Sequence, residues 1–171
     1  MVSVATKAEV VTRIEDLLIA LAELDDGRDA ERDYLVAACP ARLERAIRGL
    51  PTVAIHVLAA IGEGVTNIVG LSERTGQLKG TVSKHVQRLV EAGLVQRSPV
   101  PGNRKEVHLT LTDDGALLDQ VHRKMHTEKS DALRGFLVRY SSADLQTLAT
   151  VLDDLVSSGL SVWRPVTGKG R

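Results

Sequence analysis

The sequence predicts a mainly α-helical fold interrupted by one small β-hairpin. Three observations predict it. Apolar residues recur at helical spacing along most of the 171 positions. The period shortens to two only after Gly93. Glycines, prolines and short polar side chains stand at the places where helices start and stop.

Ile14, Leu17, Leu18, Leu21 and Leu24 share one face of a first helix, which Asp25-Asp26-Gly27 ends. A second helical stretch from about Asp29 to Arg48 contains Pro40, whose missing N–H should split it. Leu43, Ala46, Ile47 and Leu50 continue its apolar stripe. Pro51 suits the first position of a third helix, where the N–H would be unpaired anyway; Val53, Val57, Leu58 and Ile61 form its buried face, and Gly62 and Gly64 close it. Thr66 is the expected N-cap of a short helix through Ile68, Val69 and Leu71, with Gly76 in the left-handed position behind it.

After a tight turn, Val82, Val86, Leu89 and Val90 mark a helix from Lys79 to Ala92 that Gly93 ends. At 100° per residue these four cluster on one side and leave Gly80, Thr81, Lys84, Gln87 and Arg88 on the other. Residues 94–98 and 106–111 read as two strands, joined by a hairpin loop over 99–105 with Arg104 and Lys105 near its tip. Thr112-Asp113-Asp114 then offers an N-cap and two acids in a first turn, where the helix dipole favours negative charge. Leu117, Leu118, Val121 and Met125 carry that helix to about Tyr140. Ser141 to Asp144 resembles a capping box for a last helix that stops near Gly159, and the tail 165–171 is expected to be disordered.

Charge and composition narrow the function classes. The 22 basic and 22 acidic side chains cancel, yet residues 77–108 hold Lys79, Lys84, Arg88, Arg97, Arg104 and Lys105 against Glu91 and Glu106, a local excess of four positive charges. Aromatics at 2% argue against a stacking platform for single strands. One cysteine excludes an intramolecular disulfide or a multi-cysteine zinc site. No apolar run approaches the roughly 20 residues of a membrane span, and the acidic N-terminal region is unlike a signal peptide, so a cytoplasmic protein without a membrane partner is expected. Nothing resembles a phosphate loop or a nucleophile with a positioned base, which argues against an enzyme.

Helix, tight turn, second helix with an outward cationic face, then a hairpin with basic residues is the order of a winged helix-turn-helix. The second helix of such a unit fits the major groove of B-form DNA, about 12 Å wide, while the wing reaches the flanking backbone. Lys79, Gly80 and Thr81 would admit phosphate at the helix N-terminus. Ser83, Lys84, Gln87 and Arg88 would meet base edges or phosphates, and Asn103, Arg104 and Lys105 would position the wing. Apolar stripes on the flanking helices, 1–50 and 113–164, exceed what a module over 51–112 can cover, and a second copy is the simplest burial.

Leu71-Ser72-Glu73-Arg74, Thr81-Val82-Ser83, the run from Leu89 to Val95, the wing Asn103-Arg104-Lys105 and the closing Leu109 to Gly115 resemble the MarR family of bacterial transcriptional regulators, over roughly residues 51–118. The resemblance implies a homodimer with intertwined terminal helices, bound to a near-palindromic double-stranded operator, often as a repressor. It also implies release by a small-molecule effector, an oxidant or a metal, with no obligatory cofactor. The family usually carries Asp where Asn103 stands, which removes an ionic partner from the wing. It also favours a Ser-type cap before the recognition helix, where this chain has Gln77-Leu78.

Among sensing alternatives, Cys39 is a candidate redox thiol, although a lone cysteine among alanines is more often a small core residue. His122 and His126 lie one turn apart, a spacing that chelates a metal, with Asp119 and Glu128 nearby; exposed histidines at that spacing are commoner than sites. His56 would line an effector pocket or simply pack. A winged helix used for protein contact is a further alternative, disfavoured by the cationic face.

Overall fold

The computed structural model describes residues 6–24, 30–100 and 103–158. Its order is α1 (Lys7–Leu24), α2 (Ala30–Ala38), α3 (Ala41–Gly49), α4 (Thr52–Gly62), α5 (Ile68–Thr75), α6 (Lys79–Glu91), β1 (Val95–Val100), β2 (Asn103–Leu111), α7 (Asp113–Leu137) and α8 (Ser142–Ser157). The chain forms two compact units. One spans Ala30–Leu133 and contains the winged module; the other holds α1, α8 and the end of α7.

Pro40 separates α2 from α3 as its missing donor requires, and Pro51 stands just outside α4 as the N-cap. The cap of α5 is Asn67 rather than Thr66: its side chain accepts from the Gly70 amide at 2.8 Å. Thr66 serves instead through its carbonyl, which accepts from the Leu109 amide at 2.8 Å and docks β2 beside the start of α5. Gly76 closes α5 at φ +66°, a left-handed conformation that glycine adopts without Cβ strain. The Ser72 hydroxyl donates to the Gln77 carbonyl at 2.6 Å, so the turn into α6 is fastened at both ends.

The hairpin is longer than its alternation implies. β1 and β2 pair antiparallel from Val95↔Leu111 to Val100↔Asn103, with a register shift between Pro99 and Val100. Pro99 has no N–H to give the ladder, and a bulge tolerates it. Arg104 and Lys105 therefore belong to strand β2 and not to a loop over 99–105. Leu94 lies outside the strand but in the core.

Leu35, Ile47, Ile55, Leu58, Leu89 and Leu118 are fully buried and come from α2, α3, α4, α6 and α7. Each contributes about 1.5–3 kcal/mol of burial. Gly115 in α7 lies so close to the Leu94 carbonyl that a Cβ there would meet backbone. Thr112 caps the helix as expected, accepting from the Gly115 amide at 3.1 Å while its hydroxyl donates to the Gly93 carbonyl at 2.7 Å. The helix itself ends at Leu137, short of Tyr140.

In the other unit the capping box of Ser141 and Asp144 is complete. No residue of α8 is buried, and Ile14 and Leu17 on α1 with Leu148, Val151, Leu152 and Val156 on α8 stand exposed. The tail 165–171 lies outside the described residues.

Candidate nucleic-acid interface and metal cluster

Helix α6 buries Val82, Val86 and Leu89 and exposes Lys79, Gly80, Thr81, Ser83, Lys84, Gln87 and Arg88. The split follows from the 3.6-residue period, since the buried positions recur at intervals of three and four. Two details depart from the sequence reading. The Thr81 amide donates to the Leu78 carbonyl at 2.9 Å, so it is occupied within the helix. Gln87 donates to Glu91 at 2.8 Å and would have to leave that partner to read a base. Arg88 lines a cleft of about 680 Å³ with Arg42 and Arg45 of α3. The side chains of Asn103, Arg104 and Lys105 lie outside the described residues.

His85, which the sequence reading passed over, sits half-buried on α6 with Nδ1 unpartnered among the described groups. Burial and then the Arg88 charge push its pKa down, which keeps it neutral at physiological pH.

The second constellation joins residues far apart in the chain. Glu31 of α2, His56 of α4 and His122 and His126 of α7 bring one ligand atom each within 4.8 Å of one another. Glu31 Oε1 is 3.2 Å from His122 Nε2 and 3.3 Å from His56 Nε2, and His126 Nε2 is 3.0 Å from His122 Nε2. His122 is 4% exposed, while His56 and His126 face outward. His122 Nε2 holds at most one proton, which Glu31 at 3.2 Å and His126 at 3.0 Å would have to share. A cation at the point where the four atoms converge would satisfy all of them.

Burial pushes the pKa of His122 down first; the Glu31 carboxylate opposes this, while His126 and His56 add to it. The lowered pKa favours the neutral imidazole that metals require. A cavity of about 400 Å³ opens beside His56, His122 and His126 and reaches Arg74, Thr75 and Gln77 at the end of α5.

The two acids that sequence proximity placed near His122 do other work. Glu128 accepts from the Tyr34 hydroxyl at 2.7 Å, and Asp119 pairs with Arg123 at 2.9 Å. Glu31 and His56 supply the remaining donors. The only local signal for either was polarity on an apolar helix face, and their partnership depends on how α2 and α4 pack. Cys39 is 8% exposed, and burial pushes its thiol pKa up, away from the thiolate that redox chemistry needs.

Residues 48–106 match the MarR family. A relative from Bacillus subtilis, the uncharacterized HTH-type transcriptional regulator YhjH, is 30% identical over 112 residues, which is 65% of this chain and 62% of the relative. The chain thus spans less than two thirds of that relative's length. Among solved structures, the zinc-responsive MarR family member ZitR of Lactococcus lactis superposes with a TM-score of 0.68 at 16% identity, over 88% of this chain and 99% of ZitR. FabT of Streptococcus pneumoniae in complex with DNA gives 0.61 at 19%, over 86% and 95%. These likenesses show the winged-helix fold. No described helix is long and apolar enough to cross a membrane.

Proposed function

We propose that this chain, a MarR-family protein in its winged module, is a transcriptional regulator that binds double-stranded DNA in a sequence-specific manner. It acts as a homodimer on a near-palindromic operator, as a repressor in the cytoplasm, and is not an enzyme. The observation that carries this reading is the divided surface of α6: three buried aliphatic residues fix the helix, and Lys84 and Arg88 project from its free side. In a winged-helix frame that side meets the major groove. The exposed aliphatic stripes of α1 and α8 supply surface that a second copy would bury.

The test is binding of the full-length protein to duplexes selected from random or genomic DNA at several salt concentrations. Binding should weaken steeply with salt, and Lys84→Ala with Arg88→Ala should weaken it at least tenfold. Unchanged affinity in the double variant would overturn the assignment of α6 as the reading helix.

The effector has a second, sharper reading, favoured by the four-residue cluster. Three imidazoles and one carboxylate match the donor set and number of a closed tetrahedral zinc site. The name of ZitR as zinc-responsive lends support by analogy of fold. Glu31, His56, His122 and His126 would hold the ion, which when bound supplies the positive charge that their converging lone pairs lack. Because the donors come from α2, α4 and α7, binding would fix those three helices within the unit that carries α6. On this reading metal rather than an organic ligand sets DNA affinity.

A further inference from the structure

We infer that Leu78 is a base-reading residue, whose side chain contacts the 5-methyl group of a thymine in the major groove. The inference rests on the DNA-binding reading above and adds a chemical specificity to it. Leu78 is 80% exposed, more than any other described large hydrophobic residue of the Ala30–Leu133 unit. It occupies the N-cap of α6, where it makes no side-chain capping bond. Leucine is among the poorest residues for that position, because Ser, Thr, Asp or Asn would satisfy one of the first-turn amides. The chain therefore gives up capping stability and leaves an isobutyl group in water at the leading end of the helix.

The backbone that carries this side chain is held by its neighbours. The Leu78 carbonyl accepts from the Thr81 and Val82 amides at 2.9 and 3.0 Å. Just before it, the Ser72 hydroxyl fastens the Gln77 carbonyl and Gly76 makes the left-handed turn. Binding therefore has to order the leucine side chain and not the backbone that presents it. Lys79 follows it directly and Lys84 lies further along the exposed side of the same helix, against Glu73 beside Leu78, so this surface suits a partner that is anionic around an apolar spot. Duplex DNA offers that combination: phosphates flank the groove, and within it thymine presents the one methyl group among the four bases.

The experiment uses the full-length protein and a duplex that it has selected from a random pool, with each thymine replaced in turn by deoxyuridine, which lacks only the methyl. Wild type should bind about fourfold more weakly when one particular thymine in each half-site is replaced. Leu78→Ser, which loses the contact in both half-sites, should bind the unmodified duplex more weakly by about the square of the single-thymine factor and be indifferent to deoxyuridine there. Leu78→Met should keep the discrimination. Because serine is a good N-cap, Leu78→Ser should melt no lower than wild type, which separates readout from folding. Equal discrimination by wild type and Leu78→Ser at every thymine, or no sensitive thymine in wild type, would overturn the inference while leaving salt-dependent DNA binding intact. Failure to select any duplex would remove the DNA-binding reading itself and the inference with it.

Discussion

His122 Nε2 and Glu31 Oε1 lie 3.2 Å apart across 91 positions of sequence, with His122 buried and Glu31 nearly so. With His56 and His126 this pair makes up the cation site proposed above, and its ligands can be removed one at a time. Glu31→Gln keeps the shape of the side chain but removes its charge, and His122→Ala removes the innermost donor. Each should lower zinc affinity at least a hundredfold, read by competition with a fluorescent chelator. Zinc should raise the melting temperature of wild type and leave that of His122→Ala unmoved. Equal zinc affinity in both variants and wild type would exclude the cluster as the site.

A pH effect follows from Asp119, which is 2% exposed and has Oδ1 without a partner among the described groups. Burial raises its pKa, the Arg123 charge opposes the rise and Glu63 adds to it. A carboxyl whose folded pKa lies above its unfolded value stabilises the fold below the unfolded pKa, and that contribution is lost as pH rises through the folded pKa. At neutral pH the charged form is penalised. Asp119→Asn should therefore raise the melting temperature at pH 7, and the gain should shrink as pH falls toward 4. A gain independent of pH would show that the carboxyl is not the cause.

Gly115 tests the joint between the segment that follows α6 and the start of α7. Alanine there would press its Cβ into the Leu94 carbonyl, which is backbone and cannot swing away. Gly115→Ala should cost about 3 kcal/mol or more, measured by urea unfolding. A loss below about 1 kcal/mol would mean that the contact relaxes freely.

Gly80 should respond in the opposite sense for stability. A Cβ at that position meets nothing within 4 Å, so Gly80→Ala gains helix propensity of up to about 1 kcal/mol. The same methyl would stand between α6 and DNA. Higher thermal stability with weaker operator binding is the expected pair of results, and unchanged binding would place Gly80 off the interface.

The salt dependence of operator binding offers a count of phosphate contacts. If each Lys84 of the homodimer neutralises a phosphate, Lys84→Ala should reduce the slope of log affinity against log salt by about two. A lower affinity with the slope preserved would assign Lys84 to a base edge instead.

Much of the Ala30–Leu133 unit was legible because its signals are local. The buried triad Val82, Val86 and Leu89, the left-handed Gly76, the break at Pro40 and the Thr112 cap each depend on neighbours within a few positions. The cap of α5 was misplaced by one residue because Thr66 and Asn67 are both good caps, and the Leu109 amide claims the Thr66 carbonyl through a tertiary contact. The hairpin ran longer than its alternation because pairing passes a bulge at Pro99, a residue that reads as loop on its own. The four-residue cluster was half visible. His122 and His126 share a helix face, whereas Glu31 and His56 reach them only through packing of α2 and α4, which no spacing rule encodes.

The cluster draws its donors from three helices of the unit that also carries α6, and this has a reciprocal consequence. If the ion strengthens operator binding by some factor, the operator must strengthen ion binding by the same factor, since the two equilibria close one cycle. Protein already seated on DNA would then give up its metal last as the supply falls, and free protein first. The genes controlled by the tightest operators would be the last to respond to scarcity, so that operator sequence, and not the protein, would set the order of the response.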